Sequence, residues 1–300
     1  MDAYVFTEYG GPRTQRFIDL PDPEPGPGQI QVQVRAAGVN PADWKVREGL
    51  RQATVETTFP AVLGREVAGV VTAVGSADAG FAVGDRVFGA TAAGCGGYRR
   101  CTVLDAASTA LIPDAVSFAD AAVLPVAAGT AFDALHELDL ASGQSLLVIG
   151  AGGGVGVAAL QLAAARGLNV VGVASAAKRQ DVVALGGYWV ESGPDLASRL
   201  PRQVDAVLDL VGGHYLDDVA DLVPGDRIVT TADVTRAKQL GGRGVTRRRT
   251  RAAFTELVGL VAGGVLDPQV RSRYRFADAG KALAAVETGH TQGKVVIEFE

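Results

Sequence analysis

Residues 145–175 read SLLVIGAGGGVGVAALQLAAARGLNVVGVAS, and this stretch decides the fold of the chain. It begins with a short apolar run at 146–149, passes through a turn dense in glycine, and continues as an alanine-rich segment with helical spacing at 157–166. A second apolar run, 169–174, follows at the distance that a right-handed βαβ unit requires. The order of strand, glycine turn, helix and strand predicts a dinucleotide site at the turn.

The glycine turn has the spacing that a pyrophosphate requires. Gly150, Gly153 and Gly156 recur every three residues, so the backbone can bend sharply and approach phosphates without an intervening side chain. The main-chain N–H groups of Gly153, Gly154 and Val155 would face that anion at the positive end of the helix dipole. Glycine makes up 39 of the 300 residues, so the prediction depends on the surrounding strands and helix. The alternative is an ordinary tight turn.

The residues after the second strand indicate which dinucleotide binds. An acidic side chain there would hydrogen-bond the adenosine ribose of NAD and repel a 2′-phosphate. The sequence instead has Ser175, Lys178 and Arg179, which offer a hydroxyl and two cations to an anion. The pattern therefore favours NADPH over NADH. The alternative for the basic pair is a solvated helix start.

Composition limits the classes of protein that fit. Three hundred residues, 48% of them apolar, suffice for about two domains. The net charge of −5 gives no general reason to expect nucleic acid or an acidic membrane as a partner. Two cysteines, Cys95 and Cys101, are too few for a disulfide framework or a four-cysteine zinc lobe, which favours a reducing cytoplasm. The opening residues, MDAY, and the lack of a long glycine-free apolar run predict neither a signal peptide nor a transmembrane helix.

The first 110 residues have the pattern of a compact, mostly β domain. Ile30, Val32 and Val34 alternate with polar residues across 29–36, which is typical of a half-buried antiparallel strand. A short strand is predicted at residues 3–6, before a proline-rich connector at 21–28, and glycine turns separate further predicted strands at 67–74 and 86–88.

From Ser117 onward the composition shifts toward alanine and leucine. Pro125 and Gly129 divide residues 119–138 into two predicted short helices. Strands and helices then alternate, which predicts a parallel sheet with helices on both faces. Beyond the βαβ unit we expect a helix at 178–185 and strands at 204–210, 227–229 and 295–299.

Ligands bind at the carboxyl ends of strands in such sheets. The sequence therefore predicts cofactor contacts at Val211, Gly212 and Thr230, which follow or end two of these strands.

One dense group of arginines precedes a helix with apolar residues at helical spacing, among them Phe254, Leu257 and Val258. Cations at a helix start oppose its dipole. The alternatives are a solvated mobile loop and a contact to phosphate or to an acidic substrate. The members of this arginine cluster are Arg243, Arg247, Arg248, Arg249 and Arg251.

Several further motifs join the glycine turn in one pattern. They are residues 37–43 (AGVNPAD), 59–60 (FP), 64–71 (GREVAGVV), 84–87 (GDRV), 97–98 (GY), 129–131 (GTA), 209–213 (DLVGG) and 293–296 (GKVV). Together they cover nearly the whole chain, and the chain resembles the medium-chain dehydrogenase/reductases. Within that family it resembles the zinc-independent quinone oxidoreductase branch.

The resemblance implies an α/β fold in which a GroES-like β domain, formed by both chain ends, encloses a Rossmann domain, with the active site in the cleft between them. We expect a GroES-like catalytic domain at 1–118, a Rossmann NADP-binding domain at 119–264, and a return to the catalytic domain at 265–300. The resemblance also implies NADPH as hydride donor, Lys294 among the cofactor-binding residues, and a homodimer.

Two departures from the zinc-dependent relatives argue against a catalytic metal. Those relatives place three ligands around an open metal position. Asn40 stands where the resemblance expects a ligand cysteine, and Arg65 stands where it expects a histidine. The three histidines, His136, His214 and His290, lie away from these motifs. We therefore expect no metal, and a reductase of quinones or α,β-unsaturated carbonyl compounds, which accept hydride without a Lewis acid more readily than alcohols release it.

Asn40, Asp43 and Lys45 form the candidate catalytic set. The resemblance places Asn40 at the nicotinamide end, where its amide could donate to the acceptor oxygen; the alternative is an Asx turn before Pro41. Asp43 is expected to hold the turn through a hydrogen bond. Lys45 occupies a position where several quinone reductases carry tyrosine, and it could contact the ribose, deliver a proton or be solvated. Thr130 resembles a threonine that contacts the nicotinamide portion, with an N-cap as the alternative.

Two other functions stay open at this point. One is an enoyl reductase of a biosynthetic pathway. The other is a non-catalytic relative that keeps the cofactor site as a structural or RNA-binding protein. The acidic net charge argues against a nucleic acid as partner, although the arginine cluster keeps this alternative open.

Overall fold

The computed structural model describes residues 3–76, 79–289, 291 and 293–300. Two sequence expectations, those on Met1 and Asp2 at the chain start and on His290, lie outside the described residues. Among the described residues, no helix combines the length and the apolar character needed to cross a bilayer.

By their contacts the residues group into two compact units. The β unit comprises Met1–Val126, Arg249–Ala262 and Pro268–Glu300, and the Rossmann unit comprises Ala127–Arg248 and Gly263–Asp267. The domain bounds expected from the sequence stay a prediction.

The strands have the following bounds in the described part of the chain. They are β1 (Ala3–Phe6), β2 (Gln15–Ile18), β3 (Gln29–Val39), β4 (Ala61–Val62), β5 (Glu66–Val74), β6 (Arg86–Thr91), β7 (Cys101–Leu111), β8 (Ser145–Ile149), β9 (Asn169–Ala174), β10 (Tyr188–Glu191), β11 (Ala206–Asp209), β12 (Ile228–Thr230), β13 (Arg243–Gly244), β14 (Val270–Arg275) and β15 (Lys294–Glu298).

The α-helices are α1 (Pro41–Arg47), α2 (Phe118–Ala122), α3 (Gly129–Leu138), α4 (Gly154–Ala165), α5 (Arg179–Ala184), α6 (His214–Val219), α7 (Val234–Gln239), α8 (Arg251–Ala262) and α9 (Ala279–Glu287). A π-helical turn at Leu124–Ala128 joins α2 to α3 at the break that Pro125 and Gly129 predict.

The β unit is built on an antiparallel sheet that closes on itself. β3 pairs with β5, β5 with β6, β6 with β7, and β7 again with β3. β15 pairs antiparallel with the end of β3, and β14 pairs parallel with β15. The segments before residue 126 and after residue 268 therefore share one sheet.

The alternation predicted for β3 is confirmed. Ile30, Val32 and Val34 are buried, while Gln33 and Arg35 are exposed. The buried set joins apolar side chains of other strands and of α9 in one core, because side chains two residues apart lie on the same face of a strand.

The Rossmann unit contains a six-stranded sheet in the order β10-β9-β8-β11-β12-β13. Every pairing in it is parallel, which confirms the expected α/β class. Leu147, Ile149, Val173 and Val207 contribute to its core. The carboxyl ends of β8, β9, β11 and β12 thus lie along one edge of the sheet.

The sequence pattern predicts no strand at Cys101–Leu111, where the structure has β7. This segment contains Ala106, Ala107 and Ser108, which have low β propensity, and the pairings with β3 and β6 stabilise it as a strand. The helix α8 lies with the β unit and contacts β7.

Candidate active site

The glycine turn joins β8 to α4, and its geometry requires glycine at two positions. Gly150 has φ of 88°, in the left-handed region. A Cβ at Gly156 would lie 2.4 Å from the carbonyl oxygen of Gly150, so only glycine allows the helix this close to the turn. Gly153 is the N-cap residue of α4, and a Cβ there would meet no atom nearer than 3.5 Å.

This geometry distinguishes two alanine substitutions. Gly156→Ala is expected to lower the free energy of unfolding by about 1–3 kcal/mol, because its Cβ would overlap backbone atoms. Gly153→Ala is expected to leave stability nearly unchanged and to weaken NADPH binding, since its methyl group would stand where the pyrophosphate is expected. Chemical denaturation and NADPH titration of both variants check this. Equal stability of the two variants would contradict the geometric account.

The first N–H groups of α4 point out of the helix. The first helical bond runs from the Val157 N–H to the Gly153 oxygen at 2.8 Å, so the N–H groups of Gly154 and Val155 precede it. Both residues were predicted to contact phosphate, and the structure places them at the helix end where an anion is stabilised.

Three predicted residues follow β9, and one of them, Lys178, lies against this turn. The Lys178 side chain covers Gly152, with Cγ only 2.7 Å from the position that a Cβ at Gly152 would take. The Arg179 guanidinium lies 5.1 Å from the centre of the Trp189 ring. Ser175 directly follows β9 and begins the turn that leads to α5. The structure thus brings the predicted 2′-phosphate set to one edge of the sheet.

A buried carboxylate organises the neighbouring strand ends. Asp209, at the end of β11, accepts from the N–H groups of Val211 and Gly212 at 3.0 and 2.8 Å and from the Thr230 hydroxyl at 2.5 Å. The Thr230 hydroxyl in turn accepts from the Ala232 N–H at 3.0 Å. Asp209 was not among the predicted site residues, although an acid closing an apolar strand was its signal. A cofactor contact by Thr230, Val211 or Gly212 stays a prediction.

Thr130 is buried at the second position of α3. The N-cap residue of α3 is Ala128, so the N-cap alternative for Thr130 is wrong.

In the β unit, Asn40 lies within a buried polar triad with Glu66 and Lys294. The Asn40 amide nitrogen donates to Glu66 Oε1 at 2.7 Å, and the Lys294 ammonium donates to Asn40 Oδ1 at 2.6 Å. The ammonium also lies 3.1 Å from Glu66 Oε1, and the Val126 N–H donates to Oε2 at 2.7 Å. An acceptor at the amide nitrogen and a donor at the amide oxygen therefore fix the orientation of the Asn40 amide. The second N–H of this amide takes no part in these hydrogen bonds.

The sequence pattern did not single out Glu66, although a carboxylate at the start of an apolar strand was a signal for it. Lys294 was expected to contact the cofactor, and its ammonium bonds to Asn40 and Glu66 in the structure. The predicted cofactor contact of Lys294 stays untested.

Asp43 has the hydrogen bond expected of it. Its Oδ2 accepts from the Asn40 N–H at 2.8 Å and from the Tyr98 hydroxyl at 2.9 Å. Burial raises the pKa of Asp43 to about 6, against the lowering effect of these two hydrogen bonds. Burial likewise raises the pKa of Tyr98 well above its usual value, which keeps the phenol a donor. Asp43 Oδ1 is buried with no hydrogen-bond partner in the described part of the chain.

Lys45 lies on α1, is exposed, and has its ammonium 5.6 Å from the Trp44 ring centre. The structure therefore places the predicted set unequally: Asn40 and Asp43 are buried and connected by a hydrogen bond, while Lys45 contacts solvent.

The β unit contains a cavity of about 520 Å³, open to solvent, next to this network. Asp43 and Val46 of α1 line it, together with Leu63, Arg65 and Arg249. Since Asp43 also bonds to the Asn40 backbone, the cavity adjoins the candidate catalytic set.

The arginine cluster divides into different roles. Arg251 donates to the carbonyl oxygens of Ala79 and Ala106 at 2.6 and 2.9 Å, and Arg243 donates to the Asp226 oxygen at 2.6 Å. The interpretation as a solvated loop is therefore wrong for these two residues, whose charges bind backbone carbonyls. Arg249 lines the cavity.

The available side chains do not fit a catalytic zinc. Arg65 is a cation, and the Asn40 amide is bonded to Glu66 and Lys294. Burial raises the pKa of Cys95, and it raises that of Cys101 to about 11. In residues 3–76, 79–289, 291 and 293–300, no three His, Cys, Asp or Glu side chains group as a metal site.

Two protein-family models match the chain. Residues 26–126 match the alcohol dehydrogenase GroES-like domain, and residues 188–297 match a model described as zinc-binding dehydrogenase.

Curated relatives cover most of the chain. It is 31% identical over 316 residues to 2-methylene-furan-3-one reductase of Solanum lycopersicum, covering 99% of this chain and 79% of that protein. It is 30% identical over 321 residues to a quinone oxidoreductase of Pseudomonas aeruginosa, covering 97% and 98%. It is also 35% identical to a segment of erythronolide synthase EryA2 of Saccharopolyspora erythraea, over 88% of this chain but only 8% of that protein. In polyketide synthase GfsB the chain likewise spans only 5% of the relative.

Solved structures agree with these relatives. The quinone oxidoreductase from Coxiella burnetii matches with a TM-score of 0.91 at 28% identity, covering 100% of this chain and 99% of that one. The Escherichia coli quinone oxidoreductase complexed with NADPH matches with a TM-score of 0.87 at 27% identity, covering 99% and 100%. With the glycine turn, the closed β sheet and the Asn40 and Arg65 departures in place, the chain belongs to the zinc-independent quinone oxidoreductase branch of the medium-chain dehydrogenase/reductases.

Proposed function

We propose that this protein is an NADPH-dependent reductase of quinones or α,β-unsaturated carbonyl compounds that works without a metal. The observation that carries the proposal is the glycine turn at the start of α4, with the Lys178 side chain against it and Arg179 next in the chain. The names of the relatives support it, since they include a quinone oxidoreductase, a furanone reductase and an NADPH complex.

The Rossmann unit has the groups that suit NADPH. The α4 N–H groups would hold the pyrophosphate, and Ser175, Lys178 and Arg179 would hold the 2′-phosphate. We place Thr130, Val211, Gly212 and Thr230 along the rest of the cofactor. NADPH, when bound, supplies the hydride.

The β unit has the groups that suit the acceptor. Asn40 keeps one amide N–H beyond the one that bonds to Glu66, and this N–H would orient the acceptor carbonyl. Glu66 and Lys294 act as positioning residues because they fix the amide from both ends. A donor aimed at an oxygen that gains negative charge stabilises the transition state more than the ground state.

The proton that completes the reduction comes from Lys45 or from water. Lys45 is exposed, so it can exchange protons with solvent directly. A homodimer stays a prediction, and light scattering on the purified protein measures it.

An enoyl reductase of a biosynthetic pathway is the second candidate function. The matched segments of two polyketide synthases favour it. Comparing an enoyl thioester with a simple enone as acceptor separates the two candidates, because only an enoyl reductase should prefer the thioester strongly.

The preference for NADPH over NADH tests the cofactor assignment. Replacing both Lys178 and Arg179 by alanine is expected to erase most of the preference, because each charge-assisted contact to the 2′-phosphate contributes roughly 1.5–3 kcal/mol when partly buried. Dissociation constants for both nucleotides, measured by fluorescence titration, give the ratio.

A matched control removes two exposed cations elsewhere in the same unit, Arg202 and Lys238, by alanine substitution. The control should keep the wild-type ratio. An unchanged NADPH to NADH ratio in the Lys178→Ala, Arg179→Ala protein would remove the basis of the cofactor assignment.

A further inference from the structure

The cavity of the β unit combines charge with apolar surface. Val46 and Leu63 supply apolar lining, whereas Arg65 and Arg249 supply guanidinium groups. Arg65 comes directly before β5 and Arg249 just before α8, so residues far apart in the chain bring two cations to one cavity.

Arg65 is close enough to Asp43 for its charge to oppose the raising of the Asp43 pKa by burial, but its guanidinium has no bonded acceptor in the described part of the chain. Its side chain is half-buried, and among the residues that the structure describes no acceptor hydrogen-bonds to its guanidinium and no carboxylate forms an ion pair with it. The backbone is fixed, since the Arg65 oxygen accepts from the Thr91 N–H at 3.2 Å. A half-buried guanidinium without a bonded acceptor keeps its N–H donors available for an anion.

Neither acid that lines the cavity hydrogen-bonds to the Arg65 guanidinium. Asp43 is buried, and its Oδ2 is taken by the Asn40 N–H and the Tyr98 hydroxyl. Glu56, the other acid of the lining, is exposed, where water screens its charge. Two guanidinium groups therefore line the cavity, and that of Arg65 has no hydrogen-bonded acceptor in the described part of the chain.

We propose that Arg65, supported by Arg249, binds a carboxylate of the substrate, so that the acceptors are quinones or α,β-unsaturated carbonyl compounds that carry a carboxylate. The fixed fork of a guanidinium matches the two oxygens of a carboxylate. The apolar lining receives the rest of the molecule. The cavity adjoins Asn40 through Asp43, so a bound acceptor lies near the group proposed to orient its carbonyl. This inference rests on the proposed function.

A matched pair of acceptors tests the proposal. (E)-3-Benzoylacrylate and its methyl ester carry the same enone, and only the acid has a carboxylate. We expect wild-type protein to reduce both with NADPH and to favour the acid. Arg65→Gln is expected to lower kcat/KM for the acid about tenfold or more and to leave kcat/KM for the ester within about twofold.

Three further variants sharpen this test. Arg65→Lys should restore part of the lost activity on the acid, because it keeps the charge but not the fork. Arg249→Gln should give a smaller loss in the same direction. Arg35→Gln is the matched control, since Arg35 is exposed on β3 and its substitution should leave kcat/KM unchanged for both acceptors.

A binding measurement separates recognition from turnover. Calorimetric titration with the saturated acid 3-benzoylpropionate should show weaker binding to Arg65→Gln than to wild type. The methyl ester of this ligand should bind both proteins equally.

Each other outcome has a definite meaning. If kcat/KM for the ester falls as much as kcat/KM for the acid in Arg65→Gln, Arg65 supports the structure and the proposal is wrong. If wild type reduces the ester, and Arg65→Gln leaves kcat/KM for the acid unchanged, the carboxylate site is wrong while the reductase function stands. If wild type reduces neither acceptor with NADPH, the proposed function itself fails.

A phosphate of a carrier is the other source of an anion. Crotonyl-coenzyme A has phosphates, whereas the N-acetylcysteamine thioester of crotonate has none. If Arg65→Gln lowers kcat/KM for the coenzyme A thioester but not for benzoylacrylate or the N-acetylcysteamine thioester, the carboxylate assignment is overturned in favour of a phosphate.

Discussion

Replacing Lys294 by methionine is expected to lower the free energy of unfolding by about 3–5 kcal/mol, because the buried Glu66 would lose the cation that compensates its charge. Lys294 is 6% exposed and Glu66 is 0% exposed, so water cannot take over this role. The substitution also leaves Asn40 Oδ1 without its donor. Chemical denaturation of wild type and variant measures the difference.

Two companion variants make this result specific. Lys281→Met is the matched control, since Lys281 is 77% exposed and its ion pair with Asp278 lies on the surface. Adding Glu66→Gln to Lys294→Met should recover part of the loss, because both buried charges are then gone. A Lys294→Met protein as stable as the control, but with weaker NADPH binding, would assign Lys294 to the cofactor, as the family resemblance implies.

Replacing Asn40 by alanine is expected to lower kcat by about 10²–10³, because an oriented donor to the acceptor oxygen is lost. NADPH affinity should stay nearly unchanged, since the proposed role of Asn40 lies with the acceptor. Steady-state kinetics with an enone and NADPH titration give both quantities. Lys45→Met should add a pH-dependent loss only if Lys45 supplies the proton.

Asn169→Ala is the control for this prediction. The Asn169 side chain donates to the Gly143 oxygen at 2.7 Å in the Rossmann unit, so its loss should not change kcat. Weaker NADPH binding at unchanged kcat in Asn40→Ala would make Asn40 a cofactor-positioning residue, and its catalytic assignment would then be wrong.

Local sequence patterns predicted the elements whose residues repeat strongly. The run at 146–149, the alternation of Ile30, Val32 and Val34, and the glycine turn each specify one conformation. The sequence pattern missed β7 because its alanines and serine have no strand preference of their own, and only pairing with β3 and β6 makes it a strand.

The candidate site was predictable where one stretch holds the whole motif. Ser175, Lys178 and Arg179 follow one strand, so their common location follows from chain order alone. The triad of Asn40, Glu66 and Lys294 combines residues up to 254 positions apart, and its hydrogen bonds arise from the pairing of β3 with β5 and β15. No local pattern contains such a contact.

Transfer of deuterium from NADPH labelled at the nicotinamide C4 tests the central claim most directly. The protein is first dialysed against a chelator and then incubated with the labelled cofactor and an enone, and the product is examined by mass spectrometry and NMR. We expect one deuterium at the β-carbon of the product, at the rate of undialysed protein. Loss of turnover with the removal of stoichiometric zinc, or no oxidation of NADPH with any quinone, enone or enoyl thioester, would contradict the account.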